Sequence, residues 1–116
     1  MRSQLPSLLL LLLSVLLSDD ARGGIVGGWT PIKDVNDPHV RDIGQYAVAE
    51  HDRRTGEGLS FDRVVSGATQ VVEGINYRLV ISASRGGVGA AEYDAVVWEK
   101  AWEGFRNLTS FKTINA

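Results

Sequence analysis

The sequence predicts an α+β fold: an antiparallel sheet of four to five strands laid across one long α-helix. Three observations lead there. Val40, Ile43, Gly44, Ala47 and Val48 recur at helical spacing and form one amphipathic stripe. After Gly58 the chain reads as extended runs rich in Val, Ile, Tyr and Phe, separated by short connections that carry glycine. One helix followed by consecutive hairpin-linked strands packs as a sheet over that helix, with one shared core.

The bulk numbers fit this. The 116 residues carry a formal charge of −2, which suits a single domain and gives no basic footprint for nucleic acid. Cysteine is absent, so thiol catalysis, disulfides and thiolate metal sites are excluded together. Residues 1–21 have the pattern of a secretory signal peptide. Arg2 is the positive start, Leu8 to Leu17 is an apolar run broken by Ser14, and Ser18-Asp19-Asp20-Ala21 ends it. The cut falls after Ser18 or Ala21. The run is short for a bilayer span, so the expectation is a secreted domain, residues 22–116, with no membrane attachment after cleavage.

In chain order, Arg22 to Gly28 is glycine-dense and reads as flexible when free. Its Ile25-Val26-Gly27-Gly28 resembles the activation end of a trypsin-like protease, but the chain is about half the length such a fold needs and has no Gly-Asp-Ser-Gly run. Trp29 and Ile32 are apolar anchors where order begins. Asn36-Asp37-Pro38 starts the helix, with Asp or Asn as N-cap and Pro at the first helical position. The helix ends before Thr55-Gly56, with Arg53 and Arg54 in its last turn, where the macrodipole favours cations. Strands follow over Leu59–Thr69, Ile75–Ala83, Ala91–Trp98 and Phe105–Ile114.

Two connections are unusual. Gln70-Val71-Val72-Glu73-Gly74 joins the first two of these strands, where a polar turn is the norm. Burying one valine fully is worth roughly 1.5–3 kcal/mol, so an apolar tip is either tucked under the fold or buried by a partner. The second tip, Lys100 to Gly104, carries Trp102, either folded back on the sheet or presented outward.

These pieces resemble the cystatins. Gly27-Gly28, the Gln70-Val71-Val72-Glu73-Gly74 hairpin and Trp102 look like the family's three signature elements. Ile43 to His51 resembles the helix signature of the plant branch, the phytocystatins. The likeness covers essentially all of residues 22–116. It implies a sheet wrapped around one long helix and a reversible, noncovalent, competitive inhibitor of papain-like cysteine proteases, needing no cofactor. Carried over by position, Gly27 and Gly28 lie along the non-primed side of the cleft, residues Gln70 to Gly74 fill its centre, and Trp102 packs on the primed side. Two residues depart from the pattern: Glu73 stands where a small residue is common, and Ala101 where plant members usually have Pro. They support the rival reading, a secreted cystatin-fold binding or storage-type protein that does not inhibit. Legumain inhibition, a property of longer plant relatives with a carboxy-terminal extension, is not expected. The chain is expected to be a monomer, with a domain-swapped dimer open to it through the first hairpin.

Asn107-Leu108-Thr109 is an N-glycosylation sequon. His39 and His51 sit twelve residues apart on the helix, about 18 Å along its axis, too far to share a metal.

Overall fold

The computed structural model describes residues 28–114. Residues 1–21, where a signal peptide is expected, and Gly27 lie outside the described residues. Five strands and one helix follow in order: β1 (Trp29–Pro31), α1 (Pro38–Thr55), β2 (Leu59–Val72), β3 (Gly74–Arg85), β4 (Ala90–Lys100) and β5 (Phe105–Thr113). The sheet is antiparallel throughout, in the order β1-β2-β3-β4-β5. Every β2-to-β5 neighbour is also the next in sequence, so each pairing needs little more than a turn.

The helix begins and ends as its residues dictate. The Asp37 carboxylate caps it, accepting from the His39 and Val40 amides at 3.0 and 3.3 Å. Gly56 closes it in the left-handed region at φ 71°, its amide donating to the Asp52 carbonyl oxygen. Its buried face, Val40, Ile43, Gly44, Ala47 and Val48, packs on the sheet. Gly44 brings the helix close: a Cβ there would stand 2.9 Å from both Phe61 and Val64 side chains. Across the interface lie Leu59, Val64, Tyr77, Leu79, Ile81, Ala83, Tyr93, Ala95, Val97 and Leu108, all buried.

The strand faces follow from register. In β3, Tyr77, Leu79, Ile81 and Ala83 point to the core, and in β4 Tyr93, Ala95, Val97 and Glu99 do. In β2 the alternation breaks. Register shifts between Phe61 and Arg63, and between Val64 and Ser66, mark irregularities. Such bulges bend a strand and increase its twist, which lets the sheet curl around α1.

Two sequence expectations change. β2 and β3 do not stop at Thr69 and start at Ile75: pairing continues to Val72 opposite Gly74, leaving Glu73 alone at the turn. Stiff β-branched valines hold extended backbone well, so they extend the ladder instead of forming a loop. Trp29 is not a core anchor; it is 44% exposed, whereas Ile32 packs against the core.

Candidate functional site

The first hairpin tip is a rigid, apolar projection. Gln70, Val71 and Val72 are strand residues paired with Asn76, Ile75 and Gly74. Val71 is 54% exposed and Glu73 is exposed. Gly74 makes the turn possible in two ways. Its φ is 92°, which L side chains rarely adopt, and a Cβ there would collide with the Glu99 carbonyl oxygen and lie 2.8 Å from Lys100 Cγ. The tip of the first hairpin is thus packed against the base of the second.

The second hairpin ends in one 3₁₀ turn, Ala101–Glu103, closed by the Gly104 amide donating to the Ala101 carbonyl oxygen at 3.1 Å. Gly104 adopts φ 64°. This hydrogen bond holds the turn where Pro would otherwise stiffen position 101. Trp102 is 64% exposed: the side chain is presented outward and is not folded back on the sheet.

The amino-terminal element meets the same end of the sheet. Gly28, exposed, leads into β1, and Trp29 pairs with Gln70. One row of paired residues therefore crosses the outer sheet face just behind the tip: Trp29, Gln70, Asn76, Trp98 and Asn107. The Asn76 side-chain amide donates to Gln70 Oε1 at 3.1 Å. Of the expected binding residues, Gly28, Gln70, Val71, Val72, Glu73, Gly74 and Trp102 fall on one continuous edge. Sequence reading missed Trp29 and Trp98 as members of it. The signal for Trp29 was its place directly after the Gly pair, and for Trp98 its even spacing from Lys100 along the strand.

Behind the second turn an open hollow of about 520 Å³ is lined by Tyr46, Glu99, Ala101, Gly104 and Arg106. A charge cluster forms its floor. Glu99 is only 6% exposed; it accepts from Arg106 Nε at 2.9 Å and pairs with His39 Nε2 at 2.7 Å. Arg106 also pairs with Asp42 at 2.8 Å. Burial pushes the Glu99 carboxyl up, but the hydrogen bonds from His39 and Arg106 outweigh it, and the net direction is down. Burial, with the Glu99 charge behind it, pushes the Tyr77 phenol up. The cluster ties the first turn of α1 to β4 and β5, directly beneath the hairpin that carries Trp102.

The histidines are thereby explained as structural. His39 serves Glu99, and His51 stacks on Phe111 with ring centroids 4.0 Å apart and its Nε2 3.4 Å from Glu57 Oε1. Among the described residues no group of three or more His, Cys, Asp or Glu could hold a metal ion. Asn107 is exposed on β5, and the Thr109 hydroxyl donates to the Val96 carbonyl oxygen at 3.2 Å.

Comparison with known proteins fits this geometry. A family model described as aspartic acid proteinase inhibitor matches residues 32–114. "Cysteine proteinase inhibitor 5" of Arabidopsis thaliana is 50% identical over 109 residues, covering 94% of this chain and 87% of that protein. "Cysteine proteinase inhibitor 8" of Oryza sativa subsp. japonica is 48% identical, covering 95% of each. A salivary cystatin from the soft tick Ornithodoros moubata superposes with a TM-score of 0.68 at 23% identity, over 78% of this chain and all of that one. That last likeness concerns fold alone. Fold, edge residues and relatives agree: the chain belongs to the cystatin family, in its plant branch, a family of proteinase inhibitors and not of enzymes.

Proposed function

We propose that the protein is a reversible, noncovalent, competitive inhibitor of papain-like cysteine proteases. The observation that carries this is the edge itself. Val71 and Trp102, two large apolar side chains left exposed, stand at the ends of adjacent hairpins, Val71 on the last paired residues of β2 and Trp102 on the 3₁₀ turn. Exposed apolar groups cost free energy until a partner covers them, and a Trp on a fixed turn is a favoured interface anchor. The tips are preorganised by paired strands and a hydrogen-bonded 3₁₀ turn, which lowers the ordering cost of binding.

In this reading Gln70 to Gly74 fill the centre of the cleft, Trp102 packs on the primed side, and the Gly27-Gly28 trunk lies on the non-primed side. The tip backbone stays in the β-ladder, so no peptide bond enters attack geometry and the block is occlusion. Glu73 sets target range: its carboxylate must be desolvated or paired within the cleft, which favours proteases with a basic cleft rim. Residues 1–21 direct the chain into the secretory pathway, and Asn107, exposed on an edge strand, receives a glycan there. A glycosidase-dependent mass loss that disappears in Asn107→Gln is the expected sign, and a secreted chain of unmodified mass refutes it.

The functional test is titration of papain and, in parallel, pepsin. Competitive inhibition of papain with pepsin untouched is expected, and it separates the protease class named by the relatives from the one in the family model's description. Trp102→Ala should weaken papain inhibition by at most a few kcal/mol. A folded monomer inert toward both enzymes would favour the non-inhibitory binding or storage-type reading, to which Glu73 points.

A further inference from the structure

We infer that Trp98 is a positioning residue for inhibition, a brace that fixes the first hairpin tip relative to the second; this rests on the inhibitory reading of the edge. Trp98 lies on the outer face of β4, opposite Asn76 of β3 and Asn107 of β5. Its indole Nε1 donates to the Glu73 carbonyl oxygen at 2.7 Å. Glu73 is the one residue at the turn between β2 and β3, so this hydrogen bond reaches the tip from the neighbouring strand.

The ring of Trp98 is itself held from the second hairpin. Phe105, the first residue of β5, meets it edge-on at 5.3 Å between centroids and 78° between planes. Lys100 Nζ stands 4.9 Å from both ring centroids and 3.4 Å from Glu103 Oε1. Lys100 pairs with Phe105 at the base of the turn that carries Trp102. One side chain therefore contacts the backbone of the first tip and the residues flanking the second.

The packing of Gly74 supports the same conclusion independently. The first tip lies so close to Glu99 and Lys100 that a side chain at position 74 would displace it. Close packing sets how near the tips approach, and the indole hydrogen bond sets where along β4 the first tip rests. Without the brace, Val72 and Gly74 keep their pairing and Gly74 its contact with β4, but the Glu73 peptide between them loses its hydrogen bond to that strand. A two-stranded ribbon is weak in isolation, and motion at its end is freedom that binding must remove.

Three forms of the full chain decide the matter: wild type, Trp98→Phe, and a chain with 3-benzothienylalanine at position 98. The last keeps the bicyclic shape and replaces the N–H by sulfur, so it guards against a Trp98→Phe variant that repacks. Two readouts are needed: association and dissociation rates with papain, and amide hydrogen exchange at residues 72–75 in the free protein. The brace predicts five- to tenfold weaker inhibition in both variants, the scale of one net hydrogen bond. It places most of that loss in dissociation, with faster exchange confined to the tip and core protection in β3 and β4 unchanged. Inhibition within twofold of wild type overturns the role, whatever the exchange shows. Weakened inhibition with unchanged tip exchange overturns it too, since loss of the N–H would then not have freed the tip. A wild-type chain that leaves papain untouched overturns the inhibitory reading instead, before any substitution is compared. Tip exchange alone then upholds or overturns the brace.

Discussion

Replacing Val71 by Asp should abolish inhibition of papain and leave the fold standing. Val71 is 54% exposed and pairs with Ile75 at the end of the ladder. Full burial of a valine is worth roughly 1.5–3 kcal/mol; about half of its surface is already covered, so a protease covering the rest gains roughly 0.8–1.5 kcal/mol. The substitution loses that and adds a carboxylate to be desolvated in the cleft, at about 2 kcal/mol or more. The combined loss is about 3 kcal/mol, more than a hundredfold in the dissociation constant. In the free protein the same residue faces water. A surface change of this kind moves stability by about 0.5 kcal/mol, up to about 1 kcal/mol with the poorer strand propensity of Asp. Titration of papain at fixed substrate, with thermal unfolding followed by circular dichroism, measures both. Unchanged inhibition would refute the placement of Val71 in the interface. Lost inhibition accompanied by global unfolding would refute the claim that the tip is separable from the core.

Three further outcomes follow from the packing and the charges. Gly74→Ala should strain a positive-φ position by about 1–2 kcal/mol and push the first tip off the Glu99 carbonyl oxygen; papain inhibition should fall at least tenfold, and an unaltered inhibition constant would show that tip placement is unimportant. Gly67→Ala puts a Cβ 2.8 Å from the Arg78 carbonyl oxygen and 2.7 Å from Leu79 Cδ2, so overpacking of about 1–3 kcal/mol should lower the melting temperature by several degrees or more. Glu99 is held below its ordinary pKa of 4.5 in the fold, so its contribution to stability is present above that value and is lost as pH falls through the folded pKa. Denaturant midpoints should therefore hold near neutrality and fall below about pH 4.5. Glu99→Gln should flatten that fall while costing about 2 kcal/mol at pH 7, less than stripping a buried pair because Arg106 keeps Asp42.

The helix was legible to within one residue, running through Thr55 where a stop before it was expected, because each signal was local. Asp37 before Pro38, the apolar stripe and Gly56 are all read within a few positions of the boundary they set. The sheet was legible as a succession of strands, but not its faces. The two irregularities in β2 shift the alternation between Phe61 and Ser66, so inward and outward positions cannot be counted from one end. The tip residues were legible as an anomaly, two valines where a polar turn belongs; that the tip they lead to lies against Glu99 and Lys100 is a contact across strands that no local signal gives. Likewise the Glu99 cluster joins His39, Asp42 and Arg106 through pairs as far apart in sequence as Asp42 and Arg106, 64 residues. Nothing in the spacing of those four residues announces it. Trp98 belongs to the same class: strand periodicity puts it on the sheet, and only the folded hairpins bring its N–H to Glu73.

Titration of papain by residues 22–116 with varied substrate asks whether the exposed edge acts as the proposed protease-binding wedge. Stoichiometric, competitive inhibition, fully reversed on dilution with the inhibitor recovered uncleaved, is the predicted result. A folded monomer that leaves papain activity unchanged at a large molar excess would contradict it.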